Sequence, residues 1–385
     1  MVSDATLTQG RRATDSGSVT VGALSAAGPN APSFRVRTKI PSAELARHGI
    51  RIEHVSLLDE DDDRRLHEAG APARAATALR ARTRLRRRLA AADWEVSLVQ
   101  RQVDLLPTLE LERSAAEADR LVLDVDDAIW LDRSRGARGH PLALLKGTPR
   151  KVRWLAARAD AVIAGNELLA EWLGRHSANV RVVPSLVEHR DVPVRSHRPG
   201  DRAVLGWIGS PTTATYLQRL TKPLARLPAA APDIRFELLT VGGTAPPVPG
   251  LEVRSEPWSE ERERRFLTEI DIGLMPLEDT PWARGKCSYK ALQYMAAGVP
   301  VVADDVGISA SVIGHEAAGL IPRSEGDWTE QVAALARDAA LRSRLGGVGR
   351  TRIANDFSVE RWAPELASIL RGDPAGPIAM GEQHR

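Results

Sequence analysis

The sequence predicts an α/β protein built of two doubly wound domains that face each other across a cleft. Three observations predict it. Short apolar runs alternate with amphipathic stretches, the pattern of parallel strands covered by helices on both faces. The alternation breaks at 189–201, a polar segment with two prolines and no period. The chain of 385 residues is 43% hydrophobic, enough for two packed cores.

Residues 1–18 are polar and expected to be a disordered tail. The first domain is then expected at 19–188. Its strand candidates are 19–24, 50–56, 94–99, 120–125, 161–164 and 180–183. Helical patterns at 34–48, 62–92, 104–118, 148–158 and 166–175 separate them. The segment 189–201 is a linker. The second domain, 202–356, has strand candidates at 203–208, 234–240, 251–254, 272–275, 299–303 and 319–321. Its helices fit 212–228, 259–268, 288–297, 327–337 and 339–347. A last helix, 358–371, opens at Ser358, a good N-cap, and stops at Gly372. Trp362, Leu366, Ile369 and Leu370 give it one apolar stripe. A short tail, 372–385, follows. In such sheets ligands bind at the strand carboxyl ends.

Charge and cysteine usage narrow the class. There are 53 Lys+Arg against 50 Asp+Glu, and no aromatic-basic cluster, so nucleic acid is not an expected partner. The single cysteine, Cys287, excludes an intrachain disulfide and a cysteine-based zinc site. No signal-peptide pattern or membrane-length apolar run is present, so a soluble, cytoplasmic protein is expected. Residues 74–88 hold seven arginines. They form either a solvated helix face or a weak contact with anionic membrane.

The most informative stretch is KCSYKALQYMAAGVPVVAD, 286–304. A short loop runs into a helix that stops at Gly298, and Pro300 opens an apolar strand. A helix N-terminus offers free N–H groups and partial positive charge to an anion. The chain has only six lysines, and Lys286 and Lys290 are two of them. Four apart, they would share a face with Gln293. The site suits a phosphate or diphosphate, with Gln293 bonding a hydroxyl.

Other segments would complete such a site. In LGWIGSPTTATYLQRL, Gly209 permits close backbone approach, and Ser210, Thr212 and Thr213 offer hydroxyls and N–H groups. The same turn also fits an ordinary capped βα connection. In LVLDVDDAIW, Asp126 and Asp127 end a strand and should face the cleft. They would bind sugar hydroxyls or cap the following loop. No ligand spacing supports a metal. Glu278 and Asp279 lie near the lysine loop, as sugar contacts or solvated acids. Trp258 would flank a base or pack.

These residues resemble glycosyltransferase family 4 of the GT-B fold, in a bacterial branch. GKCSYKALQYMAAGVPVVADDVG resembles its carboxyl-terminal signature. GWIGSPTTATYL, DIGLMPLEDTPW, LVLDVDDAIW and FRVRTKIPSAELARHGIRIE resemble companion motifs. The likeness spans roughly 19–371. It implies two Rossmann-like domains and a last helix crossing back to the first. It also implies sugar transfer from a nucleotide-sugar donor to an acceptor, with retention and without a metal or other cofactor. Lys286, Cys287, Ser288 and Lys290 would hold the diphosphate, faced by the Gly209–Thr213 turn. Lys286 and Lys290 would stabilise the leaving group. Gln293 stands where the family has a ribose-binding glutamate, and Asp126 where a polar residue reaches the donor sugar. The usual pair of glutamates is lost to Gly285 and Gln293, and the basic pair beyond the glycine turn is missing. A nucleotide-sugar epimerase on this fold and a catalytically silent nucleotide-sugar binding protein are the alternatives.

Overall fold

The computed structural model describes residues 18–28, 30–68, 70–131 and 147–374. The tail expected at 1–18, but for residue 18, lies outside the described residues, as does 375–385.

Among the described residues, twelve strands form two parallel sheets. The first holds β1 (Val19–Ser25), β2 (Ile50–Ser56), β3 (Val96–Gln100), β4 (Arg120–Val125), β5 (Ala161–Ala164) and β6 (Val180–Val182), in the order β2-β1-β3-β4-β5-β6. The second holds β7 (Arg202–Ile208), β8 (Arg235–Val241), β9 (Glu252–Glu256), β10 (Ile272–Met275), β11 (Val301–Ala303) and β12 (Gly319–Leu320), in the order β12-β11-β10-β7-β8-β9. Central strands are buried on both faces, as parallel strands under helices must be. The strand order reverses beside β1 in the first sheet and beside β7 in the second. Crevices open at such points.

Each sheet carries a core on either face. The last helix, Val359–Arg371, returns to the first domain. Leu366, Ile369 and Leu370 pack with Val21, Phe34 and Leu45 there. Ser358 caps it, accepting from Arg361 N, and Gly372 ends it at φ 82°. Trp362 lies at the edge of the stripe and donates its indole N–H to the Asp356 carbonyl, 2.7 Å.

Several helices differ from the sequence expectation. The stretch 62–92 is two helices, Glu60–Glu68 and Ala71–Ala90, divided at Gly70 and Pro72. Only Glu110–Ala115 forms within 104–118, because the Val103 and Asp104 N–H groups bond the Glu112 carboxylate instead of a helix. The stretch 212–228 is a chain of short turns broken by Pro223 and Pro228. Short helices at Pro281–Arg284 and Ser309–Val312 were not anticipated. On Ala71–Ala90, Arg82, Arg84, Arg86 and Arg88 pair with Asp104, Asp62, Glu110 and Glu53. Among the described residues, no helix is long and apolar enough to cross a membrane.

Candidate active site

The carboxyl ends of the two sheets meet. From the second sheet, β7 delivers the buried Trp207 and then Gly209. A Cβ on Gly209 would fall 2.7 Å from the Trp207 ring and 2.9 Å from Lys290 Cε, so only glycine leaves room for the lysine. The Lys290 ammonium sits 5.2 Å from the centroid of the Trp207 ring. Ser210 and Thr212 share a hydroxyl bond of 2.9 Å, and the Thr213 hydroxyl bonds the Ser210 carbonyl at 3.0 Å. All three ring the mouth of the same turn.

The lysine loop departs from expectation in one respect. The helix is Tyr289–Ala296, and Ser288 before it is left-handed, φ 50°. That turn puts Lys286 off the helix, so Lys286 does not share a helix face with Lys290 and Gln293. Lys290 and the buried Gln293 remain three apart on the first turns. Ser288 is buried and its hydroxyl meets Ser309 at 3.2 Å rather than capping the helix. Lys290 forms no ion pair among the described residues. Burial, then repulsion from Lys286, pushes its pKa down to about 7, with Asp127 opposing. A cation so placed, desolvated and without a counter-ion, favours an incoming anion.

The first domain supplies the facing wall. Asp126, just past β4, accepts from Gln100 Nε2 at 3.0 Å and from Arg101 Nε at 2.6 Å. Arg101 also reaches Asp127 at 2.5 Å, and Lys286 Nζ lies 3.9 Å from the other Asp127 oxygen. Burial works to raise the Asp126 pKa, but Arg101 outweighs it and holds the carboxyl below its ordinary range. Arg101 itself is left-handed, φ 67°, an uncommon conformation for such a side chain. Asp124 lies deeper, bound by the buried Arg37 at 2.7–3.1 Å.

Three candidates are tied up in structural contacts. Cys287 does not face the cleft. Its thiol points into the first domain's core and donates to the Asp126 carbonyl at 3.1 Å; burial pushes its pKa up to about 12. Asp279 is exposed and bound bidentately by Arg284 at 2.6 and 2.8 Å. Trp258 donates to Glu263 at 2.7 Å and lies under Arg35 of the first domain, 5.3 Å away. Sequence reasoning missed Trp207, Arg101, Asn166 and the Arg35–Glu263 pair. Trp207 looks like any apolar strand residue. Arg101 and Arg35 are lost among many arginines, and only the position of Arg101 at a strand end signals it.

Residues 202–338 match the family model for glycosyl transferases group 1. No curated protein matches the chain. Among solved structures, sucrose-phosphate synthase from Thermosynechococcus elongatus superposes with a TM-score of 0.68 at 15% identity, over 92% of this chain and 98% of that one. WaaG, a glycosyltransferase involved in lipopolysaccharide biosynthesis, gives 0.61 at 14%, over 92% and 100%. Anabaena HepE, in complex with UDP and glucose, gives 0.60 at 13%, over 92% and 100%. The fold is GT-B. In this GT-B chain the matched segment contains β7 to β12, the Gly209 turn and both site lysines.

Proposed function

We propose that this protein is a glycosyltransferase that moves a sugar from a nucleoside-diphosphate sugar to an acceptor, with retention at the anomeric carbon. The observation that carries the reading is Lys290. A half-buried ammonium with its pKa pushed down to about 7, no ion pair among the described residues and a tight glycine turn beside it is built to receive a phosphate anion. Lys286, the Ser210–Thr213 hydroxyls and the Tyr289–Ala296 N-terminus surround it.

In this reading the donor diphosphate lies against Lys290 and Lys286. Charge builds on the β-phosphate as the sugar leaves, and the two ammonium groups stabilise it. Gln293 bonds a hydroxyl of the nucleoside. Asp126, held by Arg101, faces the sugar from the first domain. A metal is not required, because the lysines supply the countercharge and arginines already engage Asp124, Asp126 and Asp127. UDP is the first nucleotide to try, since HepE structures hold UDP and UDP-glucose. The paired arginines on Ala71–Ala90 leave only a weak membrane-surface contact around Arg80 and Arg87, and the setting is the cytoplasm.

The test is acceptor-dependent release of nucleoside diphosphate across a panel of donors. Release only with an acceptor supports transfer. An epimerised sugar without acceptor, or tight binding without turnover, would replace this reading with one of its two alternatives.

A further inference from the structure

We infer that Asn166 is a positioning residue that couples docking of the first domain to the placement of the lysine loop. Asn166 follows β5 and caps the helix Glu167–Leu173, its Oδ1 accepting from Leu169 N at 2.9 Å. Its amide nitrogen points the other way, across the cleft. It donates to the Gly285 carbonyl at 3.2 Å and lies 3.4 Å from the Lys286 carbonyl. One side chain thus fixes both a first-domain helix and the second-domain loop that carries Lys286.

Within its own domain the loop is held by the Gly285 and Lys286 N–H bonds to the Trp282 and Ala283 carbonyls, 3.2 and 3.1 Å, and by the Ser288–Ser309 hydroxyl contact. Ser288 adopts a left-handed conformation and leaves the helix start without a side-chain cap. The first domain grips the loop from the other side. A Cβ on Gly285 would lie 2.7 Å from Ala128 Cβ, and one on Gly165 would lie 2.4 Å from Cys287 Sγ. The Cys287 thiol donates to the Asp126 carbonyl. Lys286 therefore takes its place beside Asp127 only while the two domains are docked at this point. Separation removes the Asn166 bonds and lets the loop move with its lysine. The consequence for substrate rests on the phosphate role proposed for Lys286; the clasp itself does not.

Cys287 is the only cysteine, and it is buried in the clasp, so its reaction with an aromatic disulfide reagent reports opening. Asn166→Asp and Asn166→Ser both keep an oxygen that caps the helix but lose the amide donor. Each variant should label at Cys287 at least tenfold faster than wild type at pH 8, with the urea midpoint little changed. UDP should slow labelling of the wild type, and each variant should bind UDP at least tenfold more weakly. If Asn166→Asp does not fold, Asn166→Ser decides. Labelling at the wild-type rate, or faster only in step with lost global stability, overturns the inference and leaves Asn166 a helix cap. Absence of UDP binding to wild type would count against the phosphate reading, while the labelling comparison still judges the clasp.

Discussion

Arg101 forks between Asp126 and Asp127, and this governs what the two carboxylates do. Sequence reading places Asp126 at the cleft and misses the arginine, because nothing in the pattern pairs residues 25 apart on neighbouring strands. Removing Asp126 strips the Gln100 amide and the Arg101 Nε–H of their shared acceptor. Asp126→Ala should therefore lower stability by about 3 kcal/mol, the scale of breaking a buried pair. It should also cut turnover far more than nucleotide affinity, because the second domain holds the nucleotide. Urea unfolding, turnover and the UDP dissociation constant on this one variant check both statements; equal losses in turnover and affinity would remove Asp126 from the sugar. Carboxylates already bound to arginines also lead us to expect full activity after dialysis against EDTA. Loss of activity restored by Mg²⁺ or Mn²⁺ would make Asp126 or Asp127 a metal ligand.

At the scale of elements, the β7 turn and the lysine helix interlock. Gly209→Ala would drive a methyl into the Trp207 ring and the Lys290 stem, both closer than 3 Å. The lysine must shift, and UDP affinity should fall at least tenfold while the fold persists. Calorimetric titration beside a thermal melt separates the two effects. All twelve strands were legible from the sequence because apolar runs of parallel strands are continuous and bounded by turns. Helix limits were less legible. Pro72, Pro223 and Pro228 break the helical patterns, and the Glu112 carboxylate takes the backbone N–H groups of Val103 and Asp104, nine and eight residues earlier. The left-handed turn at Ser288 gave no signal, since serine marks helix starts in ordinary geometry as well. Seen from sequence, Lys286 and Lys290 share a face; in the structure they approach the site from a loop and a helix.

For the whole molecule, the last helix and the clasp around 285–287 hold the domains together. Leu370 is buried against the first domain, so Leu370→Ala should cost about 2–5 kcal/mol and loosen the crossover. Urea unfolding monitored by Trp fluorescence checks the size. In the space between the domains, phosphate binding carries the signature of a proton. Burial and the neighbouring Lys286 push the Lys290 pKa down to about 7 from the ordinary 10.5 of lysine. Its folded pKa is depressed, so between about pH 7 and 10.5 the unfolded chain binds more protons, and this residue's cost to stability lessens as pH rises through that window. A bound diphosphate restores the charge. Binding at pH 8 should then take up close to one proton, and affinity should weaken as pH climbs above 7. The most direct measurement is calorimetric titration with UDP at pH 8 in two buffers of different ionisation enthalpy, for wild type and Lys290→Met. The wild type should take up a proton, and the variant should bind weakly without uptake. UDP that binds both proteins alike, with no proton exchanged, would contradict this expectation.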